Sequence, residues 1–389
     1  MGTLNLSKNE KDKSGKEKNK NIFEKIINNL QKKKFLEIIK YSKKLQQELN
    51  LNINDYKKYS EIYSSIELEI KPVNNKYNRF IYINQKEEKY FHIYFNEDKK
   101  EIKRNYLYED DKVEQIKIRI DYQIKSFEGL FQYSQCVESI FFKKFHRKNI
   151  SNLKEMFYNC SSLKELNLCF FNTTNVTDMS NMFFGCSSLK ELNLSNFNTN
   201  NVNNMKGMFS GCSSLFTINL SKFNTNNVVD MCHMFYKCSS LKKLNLSNFD
   251  TSNVIDMDGI FSGCSSLEKL DLSNFNTNNL KNITYMFYAC SSIKELNLSN
   301  FQSGNITNTS YMFYQCSSLK VVNLSNFKNN NITNMSYMFY RCSSLKKLYL
   351  CYLNSNTFMK GMFYGCSTKM KTEIRTQIEN IKEEAFKEI

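Results

Sequence analysis

The stretch Met182-Phe183-Phe184-Gly185-Cys186-Ser187-Ser188-Leu189-Lys190-Glu191-Leu192-Asn193-Leu194-Ser195 is written along the chain again and again at one interval. Cys160, Cys186, Cys212, Cys238, Cys264, Cys290, Cys316 and Cys342 fall 26 residues apart without a slip. Phe157, Phe183 and Phe209 begin a second column at that interval, and Leu168, Leu194 and Leu220 a third. A period of this length marks a solenoid, whose single module cannot bury its apolar side but whose stacked copies can. The array is expected over 127–366: a degenerate first copy near Phe127, its cysteine displaced to Cys136, and a shortened last copy ending at Met362, Phe363 and Cys366.

Each copy has two halves. Leu192 and Leu194 alternate with Glu191, Asn193 and Ser195, the period of a half-buried strand. Val202, Met205, Met208, Phe209 and Cys212 are spaced three, three, one and three, which predicts one face of a short helix. The expected fold is an α/β solenoid, with leucine-rich repeats stacked as a parallel β-sheet and short helices on the opposite side. At ~4.8 Å per strand, nine or ten copies would form a rod of ~45 Å.

Leu189-x-x-Leu192-x-Leu194, with Phe197 near the usual loop anchor, matches the leucine-rich-repeat strand signature. The fuller unit runs Met182-Phe183-x-x-Cys186-Ser187-Ser188-Leu189, then Leu194-Ser195-x-Phe197-x-Thr199-x-x-Val202-x-x-Met205. It resembles the BspA-like class of leucine-rich repeats. That resemblance implies a solenoid and a binding role; members are often cell-surface proteins, so a surface adhesin is one reading.

The ends differ from the array. Residues 1–20 are lysine-rich, polar and aperiodic, the composition of a disordered basic tail. A helical region is expected over 21–66, from Ile22, Phe23, Ile26, Ile27 and Leu30 onward. Ile26, Leu30, Leu36, Ile39 and the Ser42-Lys43 pair make 22–49 resemble the first two-thirds of an F-box, without its opening Leu-Pro. The resemblance implies a ubiquitin-ligase substrate receptor with a Skp-type adaptor as partner; the other reading is a plain helical cap. A β-rich capping region follows over 67–126, with strands expected at Phe80–Ile83, Tyr90–Phe95 and Gln115–Ile124. Met370, Ile374, Ile378, Ile381, Ala385 and Ile389 predict a C-terminal capping helix over 367–389.

Reactive chemistry finds little support. His92, His146 and His233 stand in unrelated contexts, and no nucleophile or phosphate-loop motif is present. No Cys-x-x-Cys pair offers zinc spacing, and Cys232, His233 and Cys238 read as core packing. Asp256-Met257-Asp258-Gly259 lacks the later ligands of a calcium loop. Neither a catalytic centre, a cofactor nor a metal is expected. The cysteine column reads as small buried side chains, and thirteen cysteines without a secretory signal point to a reducing, cytoplasmic setting. A net charge of +16 favours acidic partners in general. The abundance of Asn and Lys reads as compositional drift.

Recognition is expected on the strand face, where residues between the buried leucines point outward. One column is nearly constant: Asn167, Asn193, Asn219, Asn245, Asp271, Asn297, Asn323, then Tyr349. Its neighbour varies: Glu165, Glu191, Thr217, Lys243, Lys269, Glu295, Val321 and Lys347. Positions that differ between copies are free to carry recognition, so this face is assigned a protein partner. Lys164, Lys190, Lys242, Lys294, Lys320 and Lys346 form a basic flank, broken by Phe216 and Glu268. Nucleic acid is the weaker reading, because few aromatic side chains are available there for stacking.

Overall fold

Backbone amides in the Met-Phe-Cys half of each coil alternate between two kinds of partner. In the computed structural model, Met179, Asn181, Phe183 and Gly185 donate to the carbonyls of Asn204, Lys206, Met208 and Ser210 on the next coil, at 2.7–3.1 Å. Met182, Phe184 and Cys186 donate instead to Met179, Asn181 and Phe183, three residues back. An α-helix would send every amide four residues back within its own segment. The short helices expected on this side are therefore replaced by a run of tight turns. Asn181 and Gly185 take φ of 53° and 70°, the left-handed region that helix interiors exclude. The same pair, four residues apart, recurs at Gly207 and Gly211, His233 and Lys237, and Gly259 and Gly263. The spacing of three that reads as helical is the spacing of successive turns closed by i to i+3 bonds.

The structure describes residues 61–302, 304–327, 331–350, 356–378 and 381–388, with isolated positions 42, 43, 47, 54 and 57. The basic tail and nearly all of the 21–66 helical expectation, the F-box-like stretch included, lie outside the described residues.

Alignment of like with like fills the interior. Phe131, Phe157, Phe183, Phe209, Phe235, Phe261, Phe287, Phe313, Phe339 and Phe363 form one stack, with centroids 5.1–5.9 Å apart. The thiols run beside it. Cys186 donates to the Phe157 carbonyl at 3.2 Å, and Cys212, Cys238, Cys264 and Cys290 each to the equivalent carbonyl at 3.1 Å. Phe183 O accepts both Cys186 N–H and Cys212 Sγ–H, which fills the two lone pairs of a buried carbonyl. Cys136 is not the displaced member of this column. Its Sγ contacts the carbonyls of Asn78 and Arg79, while buried Ser134 holds the column's place 26 residues before Cys160.

On the leucine side the strands are short: β5 (Glu165–Asn167), β6 (Glu191–Asn193), β7 (Thr217–Asn219), β8 (Glu295–Asn297), β9 (Val321–Leu324) and β10 (Lys347–Leu350). They run parallel and in register, Leu192 opposite Ile218 and Leu296 opposite Val322. The expected continuous sheet is interrupted. Among the described residues β6 pairs with β7, β9 pairs with both β8 and β10, and a single bridge joins Lys243 to Lys269. The turn side is the more regular ladder, its bridges running from Ser126–Asn152 through successive coils to Asp256–Asn282.

The N-terminal strands extend the solenoid sheet. β1 (Ile66–Pro72), β2 (Phe91–Phe95), β3 (Ile116–Ile120) and β4 (Val137–Lys144) join β5 in the order β2-β3-β1-β4-β5. Ile66, Leu68 and Ile70 oppose Ile120, Ile118 and Ile116, so the alternating side chains close one apolar face. β4 is antiparallel to β1 and parallel to β5, and so hands the sheet from cap to coil. Glu138 on β4 meets Lys71 and Lys164 at 2.9 Å each. Phe80 and Ile81 are buried without forming the strand expected there.

At the far end the expected capping helix stops early. α1 (Thr368–Gln377) starts on Ser367, whose Oγ accepts Met370 N–H, and buries Met370 and Ile374. A 3-10 turn at Glu383–Phe386 then completes the ladder. Gly361 and Phe363 donate to the carbonyls of Glu384 and Ala385, and Phe386 stacks on Phe363 at 5.9 Å.

Candidate partner-binding face

The variable column lies at the surface. Glu165, Glu191, Thr217, Lys243, Lys269, Glu295 and Lys347 are exposed and Val321 is half-buried. Register fixes their order across the face, with Glu191 beside Thr217, Lys243 beside Lys269, and Val321 between Glu295 and Lys347. The leucines between them are turned inward.

The neighbouring asparagines do local structural work. Oδ1 of Asn193, Asn219 and Asn245 accepts the N–H of Ser195, Ser221 and Ser247 at 3.0 Å. Asp271, Asn297 and Asn323 make the same bond to Ser273, Ser299 and Ser325. These are Asx turns, which end the strand and bend the chain. Asn167 makes the bond to Cys169 N–H, while Tyr349, half exposed, has no side-chain carbonyl with which to make it. The constancy of this column thus has a structural cause.

Asparagine does the same elsewhere in the coil, against the reading of compositional drift. Asn198 and Asn204 cap further Asx turns, to Asn200 and Lys206. Asn201, Asn227, Asn253 and Asn279 each donate Nδ2–H to a carbonyl of the preceding coil at 2.6–2.7 Å. Buried Thr199 donates to Asn224 O and accepts Asn224 N–H, both at 2.8 Å.

Two depressions mark the face. One of about 720 Å³ lies over the first coils, lined by Phe141, Leu166, Phe216, Lys190 and Glu191 among others. The second, about 740 Å³, is lined by Lys243, Lys269, Lys294, Glu268, Glu295 and Asp271. Phe216, 46% exposed, stands on the basic flank where most copies carry lysine. In the sequence it is a break in the charge; in the structure it lines the first depression, as does half-buried Phe141.

The reactive groups are scattered. His92 sits between Glu101 and Asp121 in the N-terminal sheet, at 3.0 and 3.3 Å. His233 touches Cys232, whose thiol burial and nearby carboxylates push up to about 12. Cys238 belongs to the interior column instead, donating to Phe209 O. The column thiols are also held high: burial takes Cys212, Cys264 and Cys316 up to about 12.

With the coil geometry established, one comparison identifies the family. The family described as "Mycoplasma protein of unknown function, DUF285" matches over 125–243, 213–320 and 294–377. The chain belongs to that family. Its DUF285 segments overlap and cover the solenoid end to end, from the first degenerate coil into α1. No curated protein matches the chain. Among solved structures, one match is a leucine rich cell surface protein from Faecalibacterium prausnitzii, 16% identical. The match covers 52% of this chain and 70% of that one, at a TM-score of 0.23. No helix among the described residues is long and apolar enough to cross a membrane.

Proposed function

We propose that this DUF285 chain is a non-enzymatic scaffold that binds a protein partner through the strand face of its solenoid. The supporting observation is the contrast between two adjacent columns. The constant one is consumed by Asx turns, whereas the variable one is exposed, in register, and mixed in charge. A rigid backbone with changeable side chains is what recognition needs, and exposed Phe216 supplies an apolar anchor of the kind binding faces commonly centre on. The BspA-like character of the repeat unit supports the same reading. The column cysteines, each a thiol bonded to a carbonyl, fit a reducing compartment such as the cytoplasm. Nucleic acid fits less well. The tyrosines of the turn side, Tyr288, Tyr314, Tyr340 and Tyr364, are stacked on one another at 4.6–5.1 Å and so offer edges more than faces.

The test is affinity for the partner captured from native cells, measured with purified variants. Lys243→Glu with Lys269→Glu, and separately Phe216→Lys, should each weaken binding by about tenfold or more. The thermal midpoint should stay unchanged, since sister copies already carry Glu or Lys at these places. Wild-type affinity in both variants would show that the face is wrongly assigned.

A further inference from the structure

The repeat departs from its own pattern most sharply at one place on the turn side. Cys232 stands where other copies have Lys154, Ser180, Lys206, Thr284, Ser310 and Ser336. His233 follows it, and Asp258 takes the place of Cys232 on the next coil. Asp230 and Asp256, bridged to each other across these coils, occupy a column otherwise mostly asparagine. The Asx turns there require only an acceptor oxygen, which Asn supplies equally well. Two of that column's three aspartates, Asp230 and Asp256, and a further carboxylate at Asp258 add negative charge that the turns do not need; the third, Asp178, lies two coils back.

The side chains converge. Cys232 Sγ lies 2.8 Å from His233 Nδ1, and His233 Nε2 lies 3.8 Å from Asp258 Oδ2. One ligand atom from each of Cys232, His233 and Asp258 lies within 4.8 Å of the other two, and the same holds for Asp230, Cys232 and Asp256. Cys232 is buried and the others are half-buried. The ring of His233 has room because residue 259 is glycine: a Cβ there would come within 2.9 Å of Nε2. Lys206 and His233 are the basic side chains that face this group.

We propose that Cys232, His233 and Asp258 form a binding site for a thiophilic divalent cation of the zinc type, with Asp230 and Asp256 balancing its charge. Thiolate, imidazole and carboxylate are zinc's donor set, and sulfur with nitrogen disfavours magnesium and calcium. The thiol loses its proton to solvent as the sulfur–metal bond forms, so one proton leaves per ion bound. The site joins two coils in mid-array.

The experiment is titration of the reduced, metal-free full chain with cobalt(II), followed by displacement with zinc. The wild-type chain is expected to take up one equivalent with thiolate-to-cobalt absorption, which zinc removes. Cys232→Ser should abolish that band, Cys169→Ser should leave it, and His233→Gly or Asp258→Ser should weaken uptake by at least ~10-fold. Each replacement at 232, 233 or 258 puts in a residue that a sister copy carries there (Ser180, Gly207), and an unchanged melting midpoint in chelator verifies the fold. Absence of the band in wild type would overturn the proposal, as would its survival in Cys232→Ser. Wild-type affinity in both the His233 and Asp258 variants would overturn it as well.

Discussion

A cysteine whose Sγ–H is spent on a carbonyl inside an apolar column must stay a thiol for the coil to stay closed. Burial holds Cys212 up to about 12 against an ordinary 9.0, and Cys264 and Cys316 likewise. Above pH 9 the unfolded chain releases a proton that the folded chain keeps. Stability is therefore full below that point and falls as pH rises through the window from 9.0 to about 12. Each such thiol contributes up to about 1.4 kcal/mol per pH unit to the fall. Urea unfolding followed upward from neutral pH should show the decline, and Cys212→Ser should show a shallower one; equal slopes would refute the assignment. At this scale the sequence was readable for thiols and phenylalanines, because identity repeated at one interval can only mean stacking. It was unreadable for asparagine. One residue type serves Asx turns at Asn193, Asn198 and Asn204 and an amide ladder at Asn201, and spacing alone does not separate those jobs from drift.

Among elements, the turn run is where pattern reading failed and where a sign test is available. Ala289 has φ of 56°, and its N–H goes to Tyr314 O on the next coil. In a helix, Ala→Gly costs about 1 kcal/mol. At a left-handed position the same change relieves a strain of about 1–2 kcal/mol, less the backbone freedom that glycine brings to the unfolded state. Ala289→Gly should therefore leave the midpoint unchanged or raise it; a loss of about 1 kcal/mol would restore the helix. The failure has a simple origin. A turn closed three residues back and a helix closed four back both place apolar residues at spacings of three, and only the φ values of residues such as Asn181 and Gly185 distinguish them. Strand existence was legible from Leu192 and Leu194, and strand continuity was not: it depends on whether adjacent coils approach closely enough, which no single copy encodes.

For the whole molecule, the sheet passes without a break from the N-terminal cap into the first coil, and the amide ladder is taken up at the other end by Glu384 and Ala385. Both ends of the rod are thus covered, as a stack of incomplete modules requires. The exposed strand face was legible as a face, since alternation gives it directly. That Phe141 and Phe216 line one depression was not, since they belong to different coils and different columns. One continuous interior column holds the solenoid together, and thiol labelling of the native chain reads every coil of it at once. With a small alkylating reagent and peptide mapping, exposed Cys169 should label promptly. Cys160, Cys186, Cys212, Cys238, Cys264, Cys290, Cys316 and Cys342 should stay unmodified until denaturant is added. Prompt native labelling of Cys212, Cys238 and Cys264 along with Cys169 would contradict it.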